Sequence, residues 1–215
     1  MAATTAPSAA PELTFAVASV EALRPAAAPT LRFALRIDAA GADVRAVLLD
    51  VQIQIAATRR GYDAAEQERL ADLFGAPERW GETLRAVPWT RATLAVPPFE
   101  DSALVQLDVP CTYDFEVTAA RYLAALADGD VPLELLFSGT VFHAGEAGGL
   151  RVSRISWEQE AACPLPVRTW REAIDQHFPD SAWIRLDRQA FDRLAAFRAR
   201  RALTSWEAVI EELLP

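Results

Sequence analysis

Two runs of alternating residues constrain the fold of this chain more than any other feature. In the first, Leu31, Phe33, Leu35 and Ile37 alternate with Arg32, Ala34, Arg36 and Asp38. In the second, Val47, Leu49, Val51, Ile53 and Ile55 alternate with Leu48, Asp50, Gln52 and Gln54. A period of two places one set on each side of a strand, so each run reads as a half-buried strand of an antiparallel sheet. The Asp38–Asp43 link, with its Ala-Gly-Ala, has the composition of a hairpin loop, and the spacing predicts that the two strands are adjacent and antiparallel.

Further strands are expected at Leu13–Val20, Thr83–Pro88, Arg91–Val96, Leu104–Pro110 and Thr112–Glu116, with Pro97-Pro98 and Pro110 as breaks. Leu133–Phe142 is apolar on both faces, the mark of a central, covered strand. The Gly145–Gly149 loop leads into Leu150–Glu160, and these two runs are expected to form a long hairpin.

Helical signals interrupt and then replace this pattern. Asp63, with Glu66 three residues later, has capping-box spacing for a helix over Ala64–Phe74 that stops at Gly75. Thr118–Asp128 places Ala119, Tyr122, Leu123 and Leu126 on one helical face. Beyond Cys163-Pro-Leu-Pro166 the period is helical throughout: Val167, Trp170, Ile174 and Phe178 share a face, Asp187 can cap a second helix, and Thr204 with Glu207 has capping-box spacing for a third.

The expected fold class is therefore α+β and β-rich: an antiparallel β-sandwich or strongly curved sheet with inserted helices, and a C-terminal helical segment packed on it. The expected organisation is a disordered tail over 1–11, a sandwich-like domain over 12–164, and a helical extension over 165–215 on the same core. The Ala/Thr/Pro/Ser-rich start has no basic region or apolar run of a secretory signal. No stretch approaches about 18 consecutive apolar residues, so no membrane insertion is expected.

The catalytic inventory is poor. All 21 residues counted as Lys or Arg are arginines, which excludes Schiff-base and P-loop lysine chemistry. There are two histidines, His143 and His177, and two cysteines, Cys111 and Cys163. None has metal-ligand spacing, so no metal or other cofactor is expected. The cysteines read as reduced buried thiols, although a meeting with each other or with a histidine stays open. No GxSxG elbow, GxGxxG turn or DxDxDG loop occurs. A net charge of -9 repels a phosphate backbone, so no nucleic-acid partner is expected, and it suits a protein of the cytoplasm.

Two features stand out against this background, one on each side of the Ala64 helix. Thr58-Arg59-Arg60-Gly61-Tyr62 enters the Ala64 helix, while Arg79-Trp80-Gly81 and Val87-Pro-Trp89-Thr-Arg91 follow it. Trp, Tyr and Arg are enriched at interface hot spots, so Arg59, Arg60, Tyr62, Trp80, Trp89 and Arg91 form the candidate partner-binding set. The alternative is that Trp80 and Trp89 are core residues covered by arginine stems.

Several segments resemble an uncharacterised actinobacterial family. They are Val109-Pro-Cys-Thr-Tyr113, Phe137-Ser-Gly-Thr-Val-Phe142, Pro166-Val-Arg-Thr-Trp170, His177-Phe-Pro179, Ser181-Ala-Trp183 and Ala202-Leu-Thr-Ser-Trp206. The resemblance implies genes beside those of nickel–iron hydrogenases, and hence an accessory or assembly role. It carries no site residues with it. The functional expectation is a non-enzymatic protein-binding or assembly module, with a protein partner of unknown identity and an oligomeric state left open. The alternatives are a holding chaperone similar in layout to SecB, or an enzyme using carboxylates or a Cys/His pair.

Overall fold

The computed structural model describes residues 11–112, 114, 117–145, 149–179, 181 and 185–214. Met1–Ala10 of the expected tail, parts of the expected Thr112–Glu116 strand and Gly145–Gly149 loop, and Trp183 lie outside them. Thr112 and Asp114 are not in a strand; the Asp114 N–H bonds the Thr112 hydroxyl at 3.1 Å instead of a neighbouring chain. The chain divides into two compact units, Met1–Ala182 and Trp183–Pro215.

The first unit is built around one strand. β1 spans Thr14–Ala22, and β2 runs without interruption from Thr30 to Ile55, taking in both alternating runs. The expected hairpin at Asp38–Asp43 is not formed. Ala40 and Gly41 adopt positive φ (45° and 81°), which bends the strand without reversing it. Opposite the bend, Ala39–Ala42 face Asp101 alone, also at positive φ (60°), so a wide bulge absorbs the corner. The two alternating runs are thus successive halves of one strand rather than partners.

β3 (Val87–Val96) and β4 (Phe99–Pro110) follow each other along one edge of β2, the first on its C-terminal half and the second on its N-terminal half. On the other edge β1 pairs with the N-terminal half and β5 (Asp130–Ala144) with the C-terminal half. β6 (Leu150–Arg154) and β7 (Glu160–Pro166) then lie end to end along the far edge of β5. The expected β5–β6 hairpin is present, but the run breaks at Ile155–Gln159 and resumes as β7. The result is a seven-stranded, antiparallel sheet bent over on itself.

The bend brings the inner faces together. Phe15 of β1 stacks on Phe137 of β5, their centroids 4.3 Å apart and their planes 13° from parallel. The inward set Leu31, Phe33, Leu35, Ile37, Val47, Leu49, Val51, Ile53 and Ile55 is essentially solvent-free. Each such side chain contributes about 1.5–3 kcal/mol of burial, so the alternation itself fixes which face turns inward.

Helices fill the remaining openings. α1 (Ala64–Phe74) starts where expected: the Asp63 carboxylate accepts the Glu66 N–H at 2.7 Å, and Gly75 closes the helix at φ 77°. The expected Thr83–Pro88 strand is replaced by α2 (Trp80–Thr83), a single turn held by the Leu84 N–H on the Trp80 carbonyl, and β3 begins only at Val87. α3 (Thr118–Ala125) packs on α1 and β3. α4 (Val167–Asp175) buries Val167, Trp170, Ala173 and Ile174 against β1, β2 and β7.

The second unit holds α5 (Arg188–Arg201) and α6 (Trp206–Leu213). Asp187 caps α5 through the Ala190 N–H, as its position suggested. α6 is capped by Ser205, one residue later than expected, because the Ser205 hydroxyl reaches the Ala208 N–H at 3.1 Å. None of the helices among the described residues is long and apolar enough to cross a membrane.

Candidate interaction surface

The six candidate residues separate into two groups. Arg60, Tyr62 and Trp80 belong to a buried network at the foot of α1. Arg60 makes a bidentate ion pair with Glu66, Nη1–Oε2 2.7 Å and Nη2–Oε1 2.9 Å, and both side chains are nearly solvent-free (11% and 5% exposed). The remaining guanidinium protons reach the carbonyls of Asp128 (2.6 Å), Asp130 (3.2 Å) and Gly61 (3.3 Å), while the Ala127 N–H donates to Glu66 Oε1 at 2.9 Å. Burial works to raise the Glu66 carboxyl, but the bonds from Arg60 and Ala127 outweigh it and hold the group below the ordinary glutamate value. The hydrogen bonds to Glu66 raise Arg60 correspondingly. This pair ties the loop before α1 to the loop between α3 and β5, and it leaves Arg60 no free face for a partner.

Tyr62 continues the network. Its hydroxyl donates to the Ala57 carbonyl at 2.7 Å, so the Tyr122 hydroxyl donates to it at 2.6 Å. Burial raises both phenols, and the shared bond raises Tyr122 further. Tyr62, Phe74 and Tyr122 surround Trp80 or one another edge to face, with centroids 5.2–6.3 Å apart, and the Trp80 indole N–H bonds the Gly75 carbonyl at 2.9 Å. These rings close α1 onto α3; Phe74 and Tyr122 are buried, and Tyr62 and Trp80 are half-buried.

Arg59 and Arg91 lie elsewhere, on the outward face of the C-terminal half of the sheet. Gln54 donates to Glu134 at 2.7 Å, and Glu134 also holds the exposed Arg59 at 2.6 Å. One inter-strand step along β2, Gln52 accepts from Arg91 at 2.8 Å, and beyond it Asp50 accepts from the Thr93 hydroxyl at 2.8 Å. Trp89 is half-buried at the point where the β2–β3 register shifts, between Ile53 and Gln54.

At the other end this same face turns apolar. Leu48 is 50% exposed, with Ala95 and Thr140 as its cross-strand neighbours. Val152, opposite Phe142, and Leu150, opposite Ala144, are 60% and 64% exposed on β6, and among the described strands β6 pairs with β5 alone. The Ile155–Gln159 turn that follows presents Trp157 at 84% exposure. The candidate set omits these residues, yet three of them have a sequence signal: Leu48 is an apolar residue in the polar phase of β2, and Leu150 and Val152 alternate with Arg151 and Ser153.

The other reactive groups are held by local partners. Cys111 and Cys163 are free and buried, and burial pushes their thiols up to about 12 and about 11. Their sulfurs face the carbonyls of Val109 and Pro164. His143 Nε2 bonds the Ser153 hydroxyl at 3.0 Å, and His177 Nε2 bonds the Ala26 carbonyl at 3.0 Å. Among the described residues no three His, Cys, Asp or Glu side chains converge as a metal site.

Residues 10–215 match the model of a family of unknown function, DUF6084. The chain belongs to this family. No curated protein matches the chain. Among solved structures, a β-glucosidase from Kluyveromyces marxianus matches over 72% of this chain and 15% of that protein, with 11% identity and a TM-score of 0.25. Its glucose complex matches over the same shares, with 8% identity and a TM-score of 0.26. The DUF6084 chain therefore spans a small part of that enzyme's length, at a similarity too low to carry an argument.

Proposed function

We propose that this DUF6084 chain is a non-enzymatic protein-binding or assembly module of the bacterial cytoplasm, and that the outward face of β2, β3, β5 and β6 is its binding surface. The observation that carries this reading is the exposure of Leu48, Leu150, Val152 and Trp157 on or beside one open sheet face ending at an edge strand. Contiguous apolar residues on a sheet face mark contact sites, and an uncovered edge strand invites a further strand. Arg59 and Arg91 form the polar end of the same face and serve as its rim, whereas Arg60, Tyr62 and Trp80 support the fold behind it.

The local hydrogen-bond partners that hold Cys111, Cys163, His143 and His177 favour binding over catalysis. The likeness to actinobacterial sequences encoded beside nickel–iron hydrogenase genes makes a hydrogenase assembly complex the first partner to test. The test is affinity purification of the tagged chain from its host, with the wild type beside a Leu48→Glu, Val152→Glu variant of equal melting temperature. A defined protein recovered stoichiometrically with the wild type and lost from the variant supports the proposal. Equal recovery with both, or no reproducible partner, overturns it. Recovery of many unrelated chains by the wild type identifies a holding chaperone instead.

A further inference from the structure

Every edge strand of the sheet but one carries a device that hinders a further strand. β1 is interrupted by a register shift between Val17 and Ser19. β3 carries Pro88 beside the shift at Ile53–Gln54, and β4 holds the positive-φ Asp101 opposite the corner of β2 and ends at Pro110. β7 carries Pro164 and Pro166. A proline cannot donate to a ladder, and a bulge twists an edge away from straight pairing. Among the described strands β6 alone is an edge strand with neither.

The hydrogen-bond pattern fixes what this edge offers. At the two ends of the β5–β6 ladder, the Gly145 N–H bonds the Gly149 carbonyl at 2.6 Å and the Ile155 N–H bonds the Gly139 carbonyl at 3.1 Å. Bonded and unbonded pairs alternate along an antiparallel ladder. Arg151 and Ser153 therefore bond back to β5, while Leu150, Val152 and Arg154 turn their N–H and carbonyl groups to the open edge. The side chains of these same residues lie on the outward face. Leu150 and Val152 are 64% and 60% exposed, and Arg154 is exposed with no ion pair among the described residues. Ser153 points the other way, its hydroxyl held by the buried His143. Alternate free backbone groups at strand spacing are satisfied by another strand, and a lone cation at the end of an apolar row calls for an acid beside it.

Resting on the reading of the outward face as the binding surface, we propose that its partner is an acidic–apolar extended segment that adds to β6 as an antiparallel strand. Its backbone bonds Leu150, Val152 and Arg154. A carboxylate near its N-terminal end pairs with Arg154, and apolar side chains at the next two alternate positions lie beside Val152 and Leu150. Backbone bonds supply affinity and the alternate side chains supply specificity.

The probe is a short labelled peptide with glutamate, valine and valine at alternate positions and threonine between them. It is titrated into the full chain by fluorescence anisotropy, and amide exchange is followed by NMR. In the free chain the amides of Leu150, Val152 and Arg154 are expected to exchange faster than those of Arg151 and Ser153, and bound peptide is expected to slow them. Val152→Pro removes one outward N–H and no bond to β5, so it should weaken binding about tenfold at unchanged circular dichroism. Arg154→Glu should shift the preference from the glutamate peptide to one with lysine in its place. No saturable binding, binding that leaves the three amides unprotected, or a peptide preference indifferent to Arg154→Glu overturns strand addition. The purification from the host separates this outcome from failure of the binding face itself. A partner lost from the Leu48→Glu, Val152→Glu variant but kept by a folded Val152→Pro leaves the face as a binding surface and removes strand addition.

Discussion

Replacing Glu66 by Gln alters one atom of the side chain and tests the most enclosed electrostatic contact described here. The variant leaves the Arg60 guanidinium in place, with its bonds to the carbonyls of Asp128, Asp130 and Gly61. It removes the negative charge, however, and sets an amide NH₂ against one guanidinium N–H. Breaking a buried pair from one side leaves the other charge uncompensated, at a cost of about 3–5 kcal/mol. For a chain of this size that corresponds to a fall in melting temperature of roughly 6–20 °C. The exposed Arg36–Asp38 pair supplies the control: Asp38→Asn is expected to leave the melting temperature nearly unchanged. Because Glu66 titrates below the ordinary glutamate value of 4.5 in the folded chain, the unfolded chain takes up the proton first as pH falls. The pair's contribution is complete above that value and is lost as pH drops through the folded carboxyl's own pKa. Urea unfolding from neutrality down to about pH 4 should therefore show the gap between wild type and Glu66→Gln narrowing on the acid side. A loss below about 1 kcal/mol near neutrality, or a gap that stays constant down the titration, would refute the assignment of a stabilising buried pair.

Four further outcomes can be measured on the same material. A Cβ on Gly139, which holds φ 137°, would lie 2.0 Å from the Leu48 carbonyl oxygen, so Gly139→Ala should lose about 1–3 kcal/mol or more. Gly81→Ala, with nothing within 4 Å, should be neutral or gain about 0.5–1 kcal/mol in the same melting assay. Cys111 and Cys163 should resist a thiol-reactive disulfide reagent at about pH 8 until denaturant opens the fold, and rapid labelling of the native chain would contradict their burial and raised thiols. Trp170→Ala, at 4% exposure, should cost about 3–5 kcal/mol, whereas Trp157→Ala, at 84%, should stay within about 0.5 kcal/mol; equal losses would mean that Trp157 is not free at the surface.

The strand content of the fold is legible in the period-two runs, and the inner face of β2 is the set that the alternation names. What the pattern does not specify is connectivity. A link rich in alanine and glycine is compatible with a reversal or with a bend, and only the pairing of Asp38 with Ser102 and of Asp43 with Glu100 selects the bend. The helix caps at Asp63 and Asp187 were readable because a carboxylate three residues before a free N–H is a local signal. Among the candidate residues, Arg60 was indistinguishable from Arg59 by type and position. The difference is tertiary: the Asp128–Asp130 turn, remote in sequence, closes over one and not the other. Trp157 was hidden for a different reason: it falls inside the expected Leu150–Glu160 run, and only the break between β6 and β7 turns it outward.

The single bent strand also has a consequence for how the chain is made. β2 is apolar along one whole side, and apart from β1 every strand that pairs with it is encoded after it, the last ending at Ala144. During synthesis it therefore emerges with one edge wholly open and half of the other unpaired until β5 is out, a state prone to pairing with other chains. The bend at Ala40–Gly41 interrupts what would otherwise be one straight strand of 26 residues. The corner that shapes the finished core is thus also the feature that limits how far a nascent β2 can align with another copy of itself.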